Sequence, residues 1–192
     1  MIHAQPILEA LRAFANVAQI DIPLFSTLLW TETAALDEGL IEKDIHFPES
    51  TRDCVLLGAN VFNMNPLFKS ARAGASKNSD YDLIDLSTID DGYLQRCTYR
   101  VKASWNEYRA KLPKTPWGET YGDQYKIFSR KMVDPAGERT MISCIVPPGI
   151  THTDGIRGIA FENSREMCLF AGLMGSVPYD FFVKTLDRKS VV

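Results

Sequence analysis

Residues 125–149, YKIFSRKMVDPAGERTMISCIVPPG, are the most informative part of this chain for its architecture. Two runs of residues suited to extended backbone flank residues 134–137 (DPAG), which have the composition of a tight turn. The segment PPG at 147–149 ends the second run. The pattern predicts an antiparallel hairpin whose strands lie within residues 124–133 and 139–147.

Shorter signals before the hairpin predict two more strands and a helix. Apolar residues cluster between breakers within residues 52–62 and 83–89, which favours buried strands. Ser104 and Glu107 have the spacing of a capping box that opens a helix, and Pro113 ends that helix.

Both ends of the chain carry apolar residues at helical spacing. They predict a first helix within residues 1–18 and a last helix over residues 177–186, with Pro178 in its first turn. We expect the C-terminal apolar face to pack against the first helix or against a second copy of the chain. The residues of the two faces are Met167, Phe170, Leu173, Met174, Phe181, Phe182 and Leu186, and Leu8, Leu11 and Phe14.

These elements predict an α+β fold, with an antiparallel or mixed sheet flanked by N- and C-terminal helices. Residues 1–50 are expected to form the first helix and an irregular or helical connection, and residues 51–192 the α+β domain, as one compact unit. A chain of 192 residues with 45% hydrophobic residues can bury a substantial core.

Composition narrows the classes of function. The formal net charge is -3 and the pI is about 5.6, so any nucleic-acid surface must be local. The four cysteines form no CxxC pair, which indicates buried, reduced thiols in a cytoplasmic protein. No apolar run reaches the roughly 18 residues of a membrane span, so we expect no membrane partner.

Motifs for catalysis and cofactor binding are weak. Residues 65–68 (NPLF) resemble in part the Asn-Pro-Pro-Tyr motif that holds a flipped adenine. The second proline is missing, and a loop turn anchored by Phe68 fits the sequence better. Because no glycine-rich loop follows a strand, we expect no S-adenosylmethionine site in this chain.

Metal binding is not expected either. The three histidines, His3, His46 and His152, lie in separate regions, and His152 with Asp154 lacks a third ligand. The aspartate-rich residues 80–91 are expected to cap turns rather than to bind magnesium.

Cationic and aromatic residues interleave on the predicted loops, which suits contacts with phosphates and base edges. The candidate DNA-binding residues are Lys69, Arg72, Lys77, Arg130, Arg139 and His152. The first three share a stretch without acids and are expected to contact phosphates, whereas Arg130 and His152 lie beside the hairpin and are expected to meet base edges. For Arg139, a DNA contact and an ion pair with a buried carboxylate are equally open.

Three stretches together carry a resemblance to a known family. They are residues 58–69 (GANVFNMNPLFK), residues 80–99 (DYDLIDLSTIDDGYLQRCTY), and residues 138–149 (ERTMISCIVPPG) with the nearby Arg130 and His152. They resemble the target-recognition region of Eco57I-like restriction-modification adenine-N6 DNA methyltransferases. The chain departs from that pattern at Gln95, where a proline is expected, and at Cys97, near an expected asparagine.

The resemblance implies sequence-specific recognition of double-stranded DNA in a restriction-modification or phage-defence system. It implies a catalytic methyltransferase domain or subunit as partner, where S-adenosylmethionine would bind, and it assigns no catalytic residue to this chain. The alternative function is a protein-interaction module that docks to a partner or to the rest of a longer polypeptide. A homo-oligomer formed through the C-terminal helices is a further expectation, and an enzyme acting alone ranks third.

Overall fold

The computed structural model of the protein describes residues 22–132 and 137–185, together with residues 5, 8, 9, 12 and 13 near the N-terminus. Those five residues are helical, as the spacing predicts. The rest of the predicted first helix, including Leu11 and Phe14, lies outside the described residues, and so does Leu186.

Strands and helices alternate irregularly along residues 22–132 and 137–185. The strands there are β1 (Leu24–Thr27), β2 (Ile41–His46), β3 (Val55–Leu56), β4 (Lys69–Ala71), β5 (Tyr81–Leu83), β6 (Cys97–Val101), β7 (Lys126–Arg130), β8 (Ser143–Val146), β9 (Thr151–His152) and β10 (Ile156–Phe161). The helices are α1 (Glu32–Asp37), α2 (Trp105–Lys111), α3 (Ser164–Gly175) and α4 (Val177–Thr185). The α+β class predicted from the sequence is confirmed.

The predicted hairpin forms one half of the first sheet, whose strand order is β1-β10-β7-β8, with β8 at the edge, and whose pairs are all antiparallel. β7 pairs with β8 so that Phe128 lies opposite Cys144 and Ile127 opposite Ile145. Since side chains alternate along a strand, Phe128 and Ile127 face opposite sides of the sheet, and both sides are buried.

A second, mixed sheet has the order β2-β6-β3-β9, in which only β3 and β9 run parallel. The short pair β4-β5 stands beside it as a two-stranded antiparallel ribbon. The first sheet and the second share a core that includes Leu56 and Cys97 from one and Phe128 and Val146 from the other.

Helices cover the outer faces of the two sheets. α3 and α4 pack on the first sheet, where Met167 and Met174 lie against Ile127 and Ile159. α1 and α2 contribute to the core on the second sheet, which includes Tyr108. α2 begins at the predicted capping box, since Ser104 Oγ accepts from the Glu107 N–H and Glu107 Oε2 accepts from the Ser104 N–H.

The expectation for residues 21–49 was wrong, because this segment supplies β1, α1 and β2 rather than an irregular or helical connection. Both strands lie at the edges of their sheets, and their burial does not alternate cleanly. Edge strands tolerate charged residues, and β2 carries the run Glu42-Lys43-Asp44, which obscures its pattern in the sequence.

Two predicted strands are shorter than expected or displaced. Within residues 52–62 only Val55–Leu56 is a strand, because single turns of 3₁₀ helix flank it on both sides. The expected strand at 83–89 ends at Leu83, and beyond it the Asp85 carboxylate accepts from the Ser87 N–H and holds a turn.

The expected packing of the C-terminal helices falls partly on Leu11, Phe14 and Leu186, which lie outside the described residues, and packing against a second copy stays a prediction. The buried residues of α3 and α4 lie on the first sheet, whereas Leu8 of the N-terminal helix is 49% exposed. Cys54, Cys97 and Cys144 are buried free thiols as expected, but Cys168 is exposed. In the part of the chain that the structure describes, no helix combines the length and the apolar character needed to cross a bilayer.

Candidate nucleic-acid interface

The turn at residues 62–68 brings two phenylalanines face to face. Phe62 and Asn65 exchange both backbone hydrogen bonds, and Met64 between them takes a left-handed conformation with φ 56°. The Asn65 side chain then accepts from the Leu67 N–H at 2.8 Å, which turns the chain again. The rings of Phe62 and Phe68 consequently stack with centroids 4.6 Å apart and planes 23° apart. The predicted loop turn anchored by Phe68 is confirmed.

Arg130, at the end of β7, covers one side of this stack. Its guanidinium carbon lies 6.0 Å from the Phe62 ring centroid, and Nη2 donates to the Val61 carbonyl oxygen at 2.6 Å. Burial of this half-buried side chain lowers the pKa of Arg130 from its ordinary value, but an arginine stays protonated at neutral pH. Arg130 is therefore a fixed cation.

Two further cations lie over aromatic rings. Lys69 Nζ lies 5.2 Å from the Phe68 ring centroid. The Arg96 N–H donates to the Ser70 hydroxyl at 3.0 Å, and the Arg96 guanidinium lies 4.5 Å from the ring of Phe47. We call this surface the cation–aromatic ridge. It consists of the pair Phe47 and Arg96 and the group Lys69, Phe68, Phe62 and Arg130, which meet where the Arg96 backbone contacts β4.

The charge balance of the ridge resembles that at Arg52 and Arg139, which also form no ion pair with a described residue. Among the described residues, no carboxylate oxygen lies within ion-pair distance of its three cations. By contrast, carboxylates offset Arg72, Arg100, Arg109 and Lys131. The ridge therefore places three cations without an ion-pair partner among the described residues on a chain of net charge -3.

Two of the six sequence-predicted DNA contacts, Lys69 and Arg130, thus share the ridge. Arg72 lies outside it, because its guanidinium holds Asp82 at 2.6 Å. Lys77 lines a separate cleft of about 180 Å³ together with Lys43, Tyr81 and other residues.

Arg139 forms no ion pair within residues 22–132 and 137–185. The buried carboxylate near it is Asp180, which accepts instead from the backbone N–H groups of Thr140 and Met141. Arg139 is half-buried, and its role as a DNA contact stays a prediction.

His152 is buried with 1% exposure, which removes it from the set of residues that can meet a base edge. Its Nε2 bonds with the Tyr121 hydroxyl at 2.9 Å and its Nδ1 with the Thr153 carbonyl oxygen at 2.9 Å. A carbonyl only accepts, so Nδ1 carries the proton and Nε2 accepts from Tyr121. Burial lowers the pKa of His152 to about 3.

Lys126, which is not among the residues predicted from the sequence, is buried beside His152. Its Nζ donates to the Gln124 carbonyl oxygen at 2.9 Å and lies 5.1 Å from the Tyr121 ring centroid. Burial lowers the pKa of Lys126 to about 7, against the smaller opposing effect of Asp123. We call Lys126, Tyr121 and His152 the buried polar cluster.

The aspartate-rich segment caps turns, as expected. Asp80 accepts from the Ser76 and Lys77 N–H groups, and these hydrogen bonds lower the pKa of Asp80. Asp82 pairs with Arg72. Across the residues that the structure describes, no three metal-ligating side chains converge.

The sequence contained signals for the residues that were missed. Lys126 and Phe128 are two positions apart on β7, so the period of a strand places both side chains on the same face. That face lies in the core. Phe47 and Arg96 are 49 positions apart in sequence, and only the pairing of β2 with β6 brings them together. Comparison of the chain with protein-family models and with curated proteins yields no match.

Proposed function

We propose that this chain is the DNA-recognition part of an adenine-N6 DNA methyltransferase of a restriction-modification or phage-defence system. The observation that carries the proposal is the cation–aromatic ridge, which presents three cations without carboxylate partners among the described residues. Phosphates and guanine edges are the groups that such cations bind.

The aromatic rings support this function because they hold the cations in place. A stacked guanidinium loses less conformational freedom on binding than a free one. Arg130 is further fixed by the Val61 carbonyl, and we assign it to base reading, since a guanidinium grips guanine O6 and N7 in a bidentate manner. Lys69, a compact charge, is assigned to phosphate contact.

The net charge of -3 predicts weak binding by the chain alone. A catalytic domain or subunit would supply the remaining phosphate contacts, the S-adenosylmethionine site and the pocket for the flipped adenine. Recognition and catalysis would then be divided between two parts of one methyltransferase.

The test is selection of duplexes from a random library by the full chain at low salt, followed by affinity measurements on selected and unselected sequences. Arg130→Ala should relax preference at one base pair by about 1–3 kcal/mol. Lys69→Ala should weaken all sequences alike and reduce the slope of affinity against salt by roughly one unit. Arg72→Ala is the matched control, because Asp82 already offsets its charge.

Absence of any salt-dependent duplex binding by the wild-type chain, alone and joined to a catalytic domain, would overturn the proposal. So would an unchanged sequence preference after simultaneous loss of Arg130 and Arg139. Binding of S-adenosylmethionine by the chain tighter than about 100 μM would favour an enzyme instead.

The protein-interaction alternative has its own supporting observation. Leu169 and Val177 on α3 and α4 are 65% and 66% exposed, and Phe181 is 37% exposed. Val177 and Phe181 are four residues apart on α4, so they share one face of that helix, and Leu169 adds an exposed apolar side chain on α3. Leu169→Glu combined with Val177→Glu should abolish association with a catalytic subunit, measured by light scattering. Substitutions on the ridge should leave that association unchanged.

A further inference from the structure

Phe47 belongs to the cation–aromatic ridge and is its most exposed aromatic residue. It follows the last residue of β2 and is 53% exposed. It belongs to none of the core clusters among the described residues. Its ring carries the Arg96 guanidinium at 4.5 Å from the centroid. The Phe47 ring therefore contacts Arg96 and is otherwise largely exposed to solvent.

Arg96 is in turn held by the fold rather than by Phe47 alone. Its backbone N–H donates to the Ser70 hydroxyl, and its carbonyl oxygen accepts from the Ala71 N–H at 3.3 Å. Phe47 is thereby tied to β4, next to Lys69. An aromatic ring braced by one cation, on a backbone that contacts the strand of a second cation, suits a base beside its phosphates.

We propose that Phe47 stacks on a nucleobase that has separated from its neighbours in the DNA, while Arg96 and Lys69 contact the phosphates beside it. This inference rests on the proposed function and adds the stacked base to it. Aromatic rings beside cations hold unstacked bases in single-strand grooves, and apolar wedges enter opened base steps in bent duplexes. A methyltransferase that extrudes a base opens the duplex in this way.

The fold also indicates why Phe47, and not another phenylalanine of the ridge, takes this role. Phe62 and Phe68 stack on each other, and Arg130 and Lys69 lie over them. A base could reach those rings only by displacing a cation. Phe47 has a cation over one side and more than half of its surface free.

The experiment compares the affinity of the full chain for an intact duplex with its affinity for the same duplex carrying one abasic position, using fluorescence anisotropy. The abasic duplex has unstacked bases beside the gap. We expect the wild-type chain to bind it about 10-fold more tightly, since one base–aromatic stack has an effect of that order. Phe47→Ala should abolish this preference, and it should leave the slope of affinity against salt unchanged, because Arg96 and Lys69 keep their charges.

Three variants make the result specific. Phe47→Trp keeps a ring and should keep the preference. Arg96→Ala should reduce the salt slope by about one unit. Tyr125→Ala is the matched control, because Tyr125 is an aromatic residue of similar exposure, 55%, at the end of β7 opposite to Arg130. Thermal unfolding confirms that each variant is folded.

The outcomes separate this inference from the function on which it rests. If the wild-type chain binds neither duplex, alone or joined to a catalytic domain, the proposed function fails. If it binds both duplexes equally, or if Phe47→Ala keeps the preference for the abasic duplex, the stacking role fails and DNA recognition stands. A Phe47→Ala variant that loses association between protein chains but keeps that preference would assign the residue to a protein contact and also overturn the inference.

Discussion

Two lysines of this protein lie over aromatic rings at the same distance and have opposite surroundings. Lys69 Nζ is 5.2 Å from the ring of Phe68 on the cation–aromatic ridge, and Lys126 Nζ is 5.1 Å from the ring of Tyr121 in the buried polar cluster. Lys69 is half-exposed, whereas Lys126 has no exposed surface. Contact geometry alone therefore does not define the role of a cation. Burial decides whether its charge is available to a ligand.

The comparison extends to the hydrogen bonds around each lysine. In the buried polar cluster, Lys126 donates to Gln124, and the Tyr121 hydroxyl donates to His152, so each group has a protein partner. On the ridge, the cations lack carboxylate partners within the described part of the chain. The cluster is thus hydrogen-bonded internally, whereas the cations of the ridge have no carboxylate partner among the described residues.

The largest effect on the cluster is expected from Gly158→Ala. A Cβ at Gly158 would overlap the Tyr121 hydroxyl oxygen and lie 2.7 Å from His152 Nε2. Both neighbours are fully buried and cannot move aside, so we expect a loss of about 3 kcal/mol in the free energy of unfolding. Urea unfolding measures it.

Gly172→Ala is the control for that substitution. Gly172 lies in α3 with nothing within 4 Å of an added Cβ, so alanine should stabilise the helix by roughly 0.5–1 kcal/mol. Equal effects at the two glycines would contradict the close packing around Tyr121.

The same substitution at the two lysines tests the comparison directly. At pH 7 an unfolded lysine is protonated, and Lys126 must be buried as a charge or lose its proton, so Lys126→Met should stabilise the protein by about 2 kcal/mol. Lys69→Met should change the free energy of unfolding by less than about 0.5 kcal/mol. Equal changes in the free energy of unfolding for the two variants would show that burial of the Lys126 charge does not destabilise the protein.

The pH dependence of the free energy of unfolding should also differ between the two lysines. The folded-state pKa of Lys126, about 7, is below its ordinary value of 10.5. Between these values the unfolded chain binds more protons, so stability rises with pH. From pH 7 to 8.5 the wild type should gain about 1.5 kcal/mol relative to Lys126→Met at roughly 1.4 kcal/mol per pKa unit. Lys69→Met should keep the wild-type slope.

The sequence predicted the elements that depend on local patterns. The β7–β8 hairpin, the capping box of α2 and the turn at Asn65 all follow from residues close together in the chain. The edge strands β1 and β2 were missed, because their registers depend on β10 and β6, which are distant in sequence. Local pattern therefore predicted the fold class, but not the strand order.

Site residues divide in a similar way. Lys69 and Arg130 were chosen for their charge and lie on the ridge, but His152 was chosen for its chemistry and is buried between Tyr121 and Phe128. Burial of a charged side chain costs free energy, whereas a histidine can be buried in its neutral form. Lysine and arginine therefore predict a surface position better than histidine does. Gln95 shows a further limit, because its 2% exposed amide has no partner within the described residues, which no local pattern predicts.

A smaller effect is expected from Tyr121→Phe, which removes the hydroxyl that donates to His152 Nε2. The buried nitrogen would be left without a donor, at a cost of about 1–2 kcal/mol in the free energy of unfolding. Tyr108→Phe is the control, because Thr151, which accepts from Tyr108, still bonds to the Cys54 carbonyl oxygen. A smaller loss for Tyr121→Phe than for Tyr108→Phe would contradict the assigned histidine tautomer.

The smallest effect is expected on the ridge itself. Phe68→Leu keeps an apolar side chain but removes the ring that stacks on Phe62 and lies under Lys69. The loss in the free energy of unfolding should be about 1 kcal/mol, because aromatic and cation–π contacts at exposed sites contribute that much.

DNA binding by Phe68→Leu then separates the two roles of the ring. Lys69 keeps its charge in this variant, so the slope of affinity against salt should stay unchanged. The affinity itself should fall a few-fold, because an unbraced lysine must be ordered when it binds a phosphate. If affinity and slope both match the wild type while stability falls, the ring only packs the turn, and the ridge does not preorganise its cations. The two lysines would then differ in burial alone.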